Sequence, residues 1–306
     1  MNGPSGISAV IISCEDGEVI EACLASVVGW VDEIVVVDMG SRDETRSIAA
    51  RYGARIFDHE RLPFADPARN FAMSKATRPW VLMLDPDERV LPPLAARLRE
   101  LVIQDAWDVV DIPRIQVAFG RALTAPGSQD GPHPRLFRRI HATWPSEVHA
   151  RPAFDGLRRL DVSAEPGWRQ RELAIVHDTW RSPHQVFDKF ARYIAKDAER
   201  RLARGETFTS LGLVKAVAGE FAVRFLHGRS YEDGMAGLLH TSLFAAMELG
   251  VHAEMWHQQG HPPRADAVVI RWGRGLAPLR YLINALWQGR RMVRRARRRV
   301  PGRRSD

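Results

Sequence analysis

Cysteine is nearly absent. The 306 residues contain two, Cys14 and Cys23, too few for a disulfide framework and in keeping with a reducing cytosol. No run of about 18 uncharged apolar residues occurs, so no transmembrane helix is expected. Residues 1–6 are polar and lead straight into an apolar run, so no secretory leader is expected either. Glycine (23) and proline (19) lack the period or density of collagen or a low-complexity chain. With 45% hydrophobic and 26% charged residues, the composition is that of an ordinary globular protein. The length allows one large α/β domain, or one domain with an appendage.

The net charge of +7 is a property of one end. Residues 289–306 hold nine arginines against a single acid, Asp306, a local +8 that leaves the rest of the chain at −1. The basicity is therefore a tail and not a groove across the fold, and no nucleic-acid partner is expected.

Residues 7–13 (ISAVIIS) are continuously apolar and β-branched, the pattern of a strand buried on both faces. Residues 18–29 then place Val19, Ile20, Cys23, Leu24 and Val27 on one helical face. Strands are expected at 34–37, 54–57 and 80–84. Helices are expected from Asp43 to about Tyr52, after Asp66-Pro67, and after Pro92-Pro93. Strand and helix alternating in this way give a mostly parallel sheet with helices on both faces. In such sheets ligands bind beyond the carboxyl ends of the strands, where this chain puts Ser13 to Asp16, Asp38, and Asp85 to Glu88. Past residue 105 come short strands at 107–112, 115–119, 135–138 and 173–177. Helices follow at 183–204, 209–227 and 231–250.

Asp85-Pro86-Asp87 sets two carboxylates one residue apart at a strand end, where both can converge on one cation. Mg²⁺ or Mn²⁺ takes such hard oxygen ligands, with phosphates and waters completing the shell, and would neutralise a diphosphate leaving group.

With these segments in place the chain resembles family 2 glycosyltransferases of the GT-A fold, and within them the lipopolysaccharide-core β-glucosyltransferase group. The matching stretches are ISAVIIS with IEACLASV, DEIVVVDMGSRDET, ARNFAMSKAT with PWVLMLDPDERV, RLFRR (135–139), WPSEVH (144–149), and a helix with Lys189, Arg192 and Tyr193 after His177. The resemblance implies a GT-A catalytic domain over 1–180; a helical extension over 181–265 and a basic amphipathic tail over 266–306 are expected to follow. It implies a nucleotide-sugar donor, UDP-glucose first, with Asp38 accepting the uracil imide N–H and the Ser13 region lining base and ribose. Asp87, with Asp85, would hold the metal bridging the phosphates, His177 would complete its shell, and Lys189 and Arg192 would reach the diphosphate.

Inversion needs a base that deprotonates the acceptor hydroxyl. Where the family usually reads Val-His-Glu, this chain reads Val148-His149-Ala150, so Glu147 and His149 are the candidates. Cys14-Glu15 replaces the family's Lys-Asn and puts a carboxylate, Glu15, beside the donor. The reaction expected is hexosyl transfer to a lipid-linked or lipopolysaccharide-core sugar. Transfer to a polyprenyl phosphate, which needs no base, stays open because of Ala150, as does a non-catalytic nucleotide-sugar binder. A sugar nucleotidyltransferase would need a basic glycine-rich loop after the first strand, and Cys14-Glu15-Asp16-Gly17 is acidic.

The tail, from Pro278, lines Leu279, Leu282, Ile283, Leu286 and Val293 along one helical face before the arginines. That is the pattern of a helix lying in a membrane interface. Each arginine near an anionic leaflet contributes about 1 kcal/mol. The expected location is the cytoplasmic face of the inner membrane.

Overall fold

The computed structural model describes residues 5–62, 65–129, 131–141, 143–144, 154–165, 171–277 and 279. The chain forms two compact units. One comprises Met1–Asp188 with Ala222–Ser242, the other Lys189–Phe221 with Leu243–Asp306.

In the first unit the strands are β1 (Ile7–Ser13), β2 (Glu33–Asp38), β3 (Arg55–Asp58), β4 (Trp80–Leu84), β5 (Glu88–Val90), β6 (Val109–Ile112), β7 (Arg114–Ala118), β8 (Arg121–Ala122), β9 (His133–Arg138), β10 (Arg159–Asp161) and β11 (Ile175–Trp180). Seven of them form one sheet in the order β10-β6-β9-β4-β1-β2-β3. Its pairs are parallel except where β9 runs against β4 and β6.

Strand β1 is buried along its whole length because side chains alternate between two cores. Ile7, Ala9 and Ile11 face α1 (Ile20–Val27) through Cys23 and Leu24, together with the long helix after β5 through Leu94 and Leu98. Val10 and Ile12 face the opposite way, toward Ala72 and Met73. The remaining helices of this domain are α2 (Thr45–Arg51), α3 (Arg69–Lys75), which supplies Ala72 and Met73, and α4 (Pro92–Gln104), which supplies Leu94 and Leu98. The expected α/β architecture with helices on both faces is what the chain builds.

A second sheet, β5-β11-β7-β8, was only half anticipated. Between the Asp85-Pro86-Asp87 turn and the helix at Pro92 the pattern predicts no strand. Instead Glu88–Val90 pairs antiparallel with β11, setting Glu88 opposite His177. Strands β8 and β10 were also missed. Two and three residues are too short to show an alternation.

The C-terminal helices are α5 (Pro183–Ala203), α6 (Ser210–Phe221), α7 (Gly234–Gln258) and α8 (Pro263–Leu276). The expected helix at 209–227 ends its α-helical part at Phe221 and continues as a π-helical turn, Ala222–His227. The expected helix at 231–250 runs to Gln258, and α8 was not anticipated. The second unit packs Ala198, Val251 and Met255 into a small core flanked by Ile194, Leu202 and Phe208. There Arg201 pairs with both oxygens of Glu248, at 2.7 and 3.0 Å. Residues 230–258 are long and apolar enough to cross a membrane, with Glu248 interrupting the run. The predicted tail helix from residue 278 lies outside the described residues, Leu279 apart.

One close approach in the first unit tests the packing. Gly127 donates its N–H to the Gly228 carbonyl at 2.7 Å, and a Cβ on Gly127 would stand 2.3 Å from the Arg224 carbonyl oxygen and 2.8 Å from the Gly228 Cα. Backbone atoms cannot give way as a side-chain tip can. Gly127→Ala should cost about 1–3 kcal/mol, read as a lower urea midpoint with an unchanged m-value.

Candidate functional site

Strand β1 lies between β2 and β4, and the chain leaves it first toward β2 and β3 and later returns on the β4 side. This reversal of strand order opens a crevice beyond the carboxyl ends of β1, β2 and β4. The register places Ser13 beside Asp38, and Ile11 beside Leu84, the last residue before Asp85.

On the β1 side, the Asp16 carboxylate accepts the Ser13 hydroxyl and the Cys14 N–H, each at 2.8 Å. The turn between them puts Glu15 at φ +59°, a left-handed conformation unusual for a non-glycine residue. The Glu15 carboxylate is met by the Arg42 N–H at 3.2 Å and by Arg61 at 3.3 Å. Its charge is thus balanced within the loop. Asp43 clips this loop to α2, accepting the N–H of Gly17 at 2.8 Å and of Thr45 at 3.0 Å. Asp38, 1% exposed, accepts Arg46 on Oδ2 at 2.9 Å and the Ser41 N–H at 3.2–3.3 Å.

On the β4 side a buried ion network organises the Asp85-Pro86-Asp87-Glu88 turn. Arg135 of β9 is 7% exposed and donates to Asp85 Oδ2 at 2.9 Å and to Glu88 Oε1 at 2.5 Å. Glu88 is fully buried. It also pairs with Arg114 of β7 at 3.3 Å, and its Oε2 accepts the Asp85 backbone N–H at 3.0 Å. Arg69 at the start of α3 reaches Asp85 Oδ1 at 3.2 Å while its guanidinium stacks on Trp144 at 5.1 Å. Burial alone would raise the Asp85 carboxyl, but the Arg135 and Arg69 guanidiniums overrule it and hold the group well below its ordinary value. Both Asp85 oxygens are therefore engaged by arginines.

Asp87 and His177 face each other across this turn. Asp87 Oδ1 stands 3.4 Å from His177 Nε2, and the Asp87 carbonyl accepts the Asp178 N–H at 2.9 Å. The His177 Nδ1 is buried and has no hydrogen-bond partner among the described residues. A separation of 3.4 Å is long for a hydrogen bond. It is close to the edge of an octahedron with 2.1 Å bonds, about 3.0 Å. One carboxylate and one imidazole, with no third His, Cys, Asp or Glu gathered to them among the described residues, fit a divalent site whose remaining positions go to phosphate oxygens and water. The nearby Asp16 carboxyl is pushed up by burial, and Asp87 and Asp43 push it the same way.

The crevice brings together Ser13, Glu15 and Asp38 on one side and Asp85, Asp87 and His177 on the other. Lys189 and Arg192 lie on α5 in the second unit, without an acidic partner among the described residues. Glu147 and His149 lie outside the described residues. Sequence reading did not single out Arg135, Arg69, Arg114 or Asp16 as site residues, and placed Glu88 only as the end of the acidic turn. Arg135 sits in the RLFRR stretch used for the resemblance, but only the sheet shows its two carboxylate partners.

Residues 8–163 match the family model described as Glycosyl transferase family 2. The chain belongs to glycosyl transferase family 2. Among curated relatives, a TPR repeat-containing protein of Synechococcus elongatus is 32% identical over 167 residues, covering 53% of this chain and 39% of that one. The succinoglycan biosynthesis protein ExoU of Rhizobium meliloti is 25% identical over 270 residues, covering 83% and 75%. An uncharacterized glycosyltransferase of Rickettsia felis is 23% identical over 253 residues, covering 78% and 85%. Among solved structures, residues 1–349 of S. aureus TarS align over 83% of this chain and 92% of that one at a TM-score of 0.40 and 14% identity. In this glycosyltransferase the crevice at the switch point is the candidate active site.

The Arg135 network makes a prediction of its own. Arg135→Met removes the cation shared by the fully buried Glu88 and the partly exposed Asp85, leaving them only Arg114 and Arg69, at a cost of about 3 kcal/mol near neutral pH. Asp85 ionises below its unfolded value, so its contribution is complete above about pH 4 and fades as pH falls toward the depressed folded value. Urea midpoints measured from pH 7 downward should show the deficit of Arg135→Met largest near neutrality and narrowing below about pH 4.

Proposed function

We propose that this glycosyltransferase is an inverting, metal-dependent hexosyltransferase that uses a nucleotide sugar, UDP-glucose first. Its acceptor would be a lipid-linked or lipopolysaccharide-core sugar. The observation that carries the reading is the Asp87–His177 pair, a carboxylate and an imidazole 3.4 Å apart at the carboxyl ends of the sheet, beside an Asp85 engaged by arginines. Asp87 and His177 hold Mg²⁺ or Mn²⁺, with Asp85 alongside, its charge balanced by Arg135 and Arg69. The bound metal supplies charge neutralisation for the departing diphosphate.

The chain's own residues do the rest. Asp38 accepts the uracil imide N–H on the oxygen that Arg46 leaves open, with Ser13 and Glu15 in the loop that lines base and ribose. Lys189 and Arg192 bind the diphosphate. Glu147 or His149 takes the acceptor hydroxyl proton as the oxygen bonds to the anomeric carbon and the bond to the nucleoside diphosphate breaks. The name of ExoU, a succinoglycan biosynthesis protein similar over most of this chain, supports a saccharide acceptor. Ala150 in place of the family glutamate favours a second reading, transfer to a polyprenyl phosphate whose oxygen needs no base.

For location, we propose peripheral attachment to the cytoplasmic face of the inner membrane. In α8, Val268, Val269, Trp272 and Leu276 are exposed within one 100° arc of the helix, with Arg271 flanking it and Arg274 and the exposed Ile270 on the far side. The nine arginines of 289–306 follow.

Thermal shifts with UDP, GDP, CDP and dTDP, each with and without Mn²⁺, test the donor site. Nucleotide at a hundredfold excess over Kd stabilises by about 2.7 kcal/mol. UDP with Mn²⁺ should raise Tm by several degrees, and Asp87→Ala and His177→Ala should each abolish the shift. An equal shift without metal, or in Asp87→Ala, would remove the metal-site assignment. Separately, deleting residues 276–306 should release the protein from anionic liposomes, and undiminished binding would sink the tail's role.

A further inference from the structure

Strand β11 has two working faces. His177 and its register partner Gln116 lie on one side of the small sheet, and Val176 with its partner Ile115 lie on the other. On that other side is a cleft of about 530 Å³, lined by Ile115, Val176, Arg121, Thr124, Arg171 and the Glu232–Gly234 turn. Its volume is within the roughly 300–1,000 Å³ of small-molecule sites. It is a different place from the Asp87–His177 crevice, one strand away from it.

The charges in the cleft are unequally committed. Asp233 is tied down, accepting the backbone N–H groups of Thr124 at 2.8 Å and of Ala125 at 3.1 Å and the Thr124 hydroxyl at 3.2 Å. Glu232 is paired with Arg229, whose Nε donates to it at 3.0 Å. Arg121 and Arg171 are exposed, and neither has an acidic partner among the described residues. Neutral donors leave Asp233 its charge, but two guanidiniums against that one anion give the cleft a net positive charge, and their planar forks match carboxylate and phosphate oxygens. The hydrogen bonds on Asp233 fix the wall facing them. The floor is apolar, made by Ile115 and Val176. An apolar floor, fixed acceptors on one wall and unspent guanidiniums lining the cleft suit a polyhydroxyl ring that carries an oxygen-acid group.

We propose that this cleft is a second carbohydrate site, which holds a sugar bearing a carboxylate or phosphate substituent through Arg121 and Arg171. This rests on the reading of the acceptor as a saccharide, and it places an anionic residue of that saccharide behind β11 while the reacting sugar is at the Asp87–His177 crevice.

The test uses the full chain saturated with UDP and Mn²⁺, titrated in a calorimeter with D-glucuronate, glucose 6-phosphate, glucose and inorganic phosphate. At least one of the two acidic sugars should bind with a Kd at least five times lower than glucose, and the tighter of the two identifies the acid group. Arg121→Ala with Arg171→Ala should weaken that binding at least tenfold, with Tm and UDP–Mn²⁺ binding unchanged. Glucose binding as well as both acidic sugars would overturn the role of the arginines. Inorganic phosphate binding as tightly as the acidic sugars would overturn the saccharide assignment. Full binding by the double variant would overturn the site itself. UDP–Mn²⁺ binding, measured on the same samples, scores the donor site separately, so either reading can fail alone.

Discussion

The Arg135 guanidinium, buried between Asp85 and Glu88, is where the two sheets of the catalytic unit are joined. Arg135 belongs to β9 of the large sheet, Glu88 to β5 of the small one, and Asp85 to the turn between β4 and β5. Arg114 adds a second strand of the small sheet by reaching the same Glu88. A buried ion cluster of this kind gains little over apolar packing, because desolvation offsets most of the attraction, but losing one member leaves a charge stranded. It therefore acts mainly as a geometric lock. The turn that carries Asp87 can take up only the position that satisfies all these pairs.

That lock divides the acids of the site into two kinds. Asp85 and Glu88 are spent on arginines inside the protein, while Asp87 stands beside His177. The two carboxylates of the Asp-Pro-Asp turn look equivalent in sequence but meet different partners in the fold, arginines for Asp85 and His177 for Asp87. One anchors the turn and the other faces His177, brought to it by the pairing of β11 with β5. Preorganisation of this sort lets a site act on developing charge without first rearranging.

Strand β11 carries this economy further. Because alternate side chains point to opposite faces, a single strand presents His177 to the crevice and Val176 to the cleft behind it. The crevice and the cleft thus share one strand as a common wall.

Much of this was legible in the chain itself. The apolar runs at 7–13, 34–37 and 80–84, the first two rich in β-branched residues, read as strands buried on both faces. The α/β alternation therefore followed from composition and period, and so did the placing of Ser13, Asp38 and Asp85–Glu88 at the strand ends. Those are local properties, decided by residues within a few positions of one another. What the tertiary structure alone decided is which charges meet. Arg135 is 47 residues from Glu88 and 50 from Asp85, Arg69 is 16 from Asp85, and His177 is 90 positions past Asp87. No local pattern marks a guanidinium as the partner of a carboxylate that far away. Strands as short as β5 and β8 are likewise made by their neighbours, because three residues have no period of their own and gain their hydrogen bonds only once the partner strand is in place.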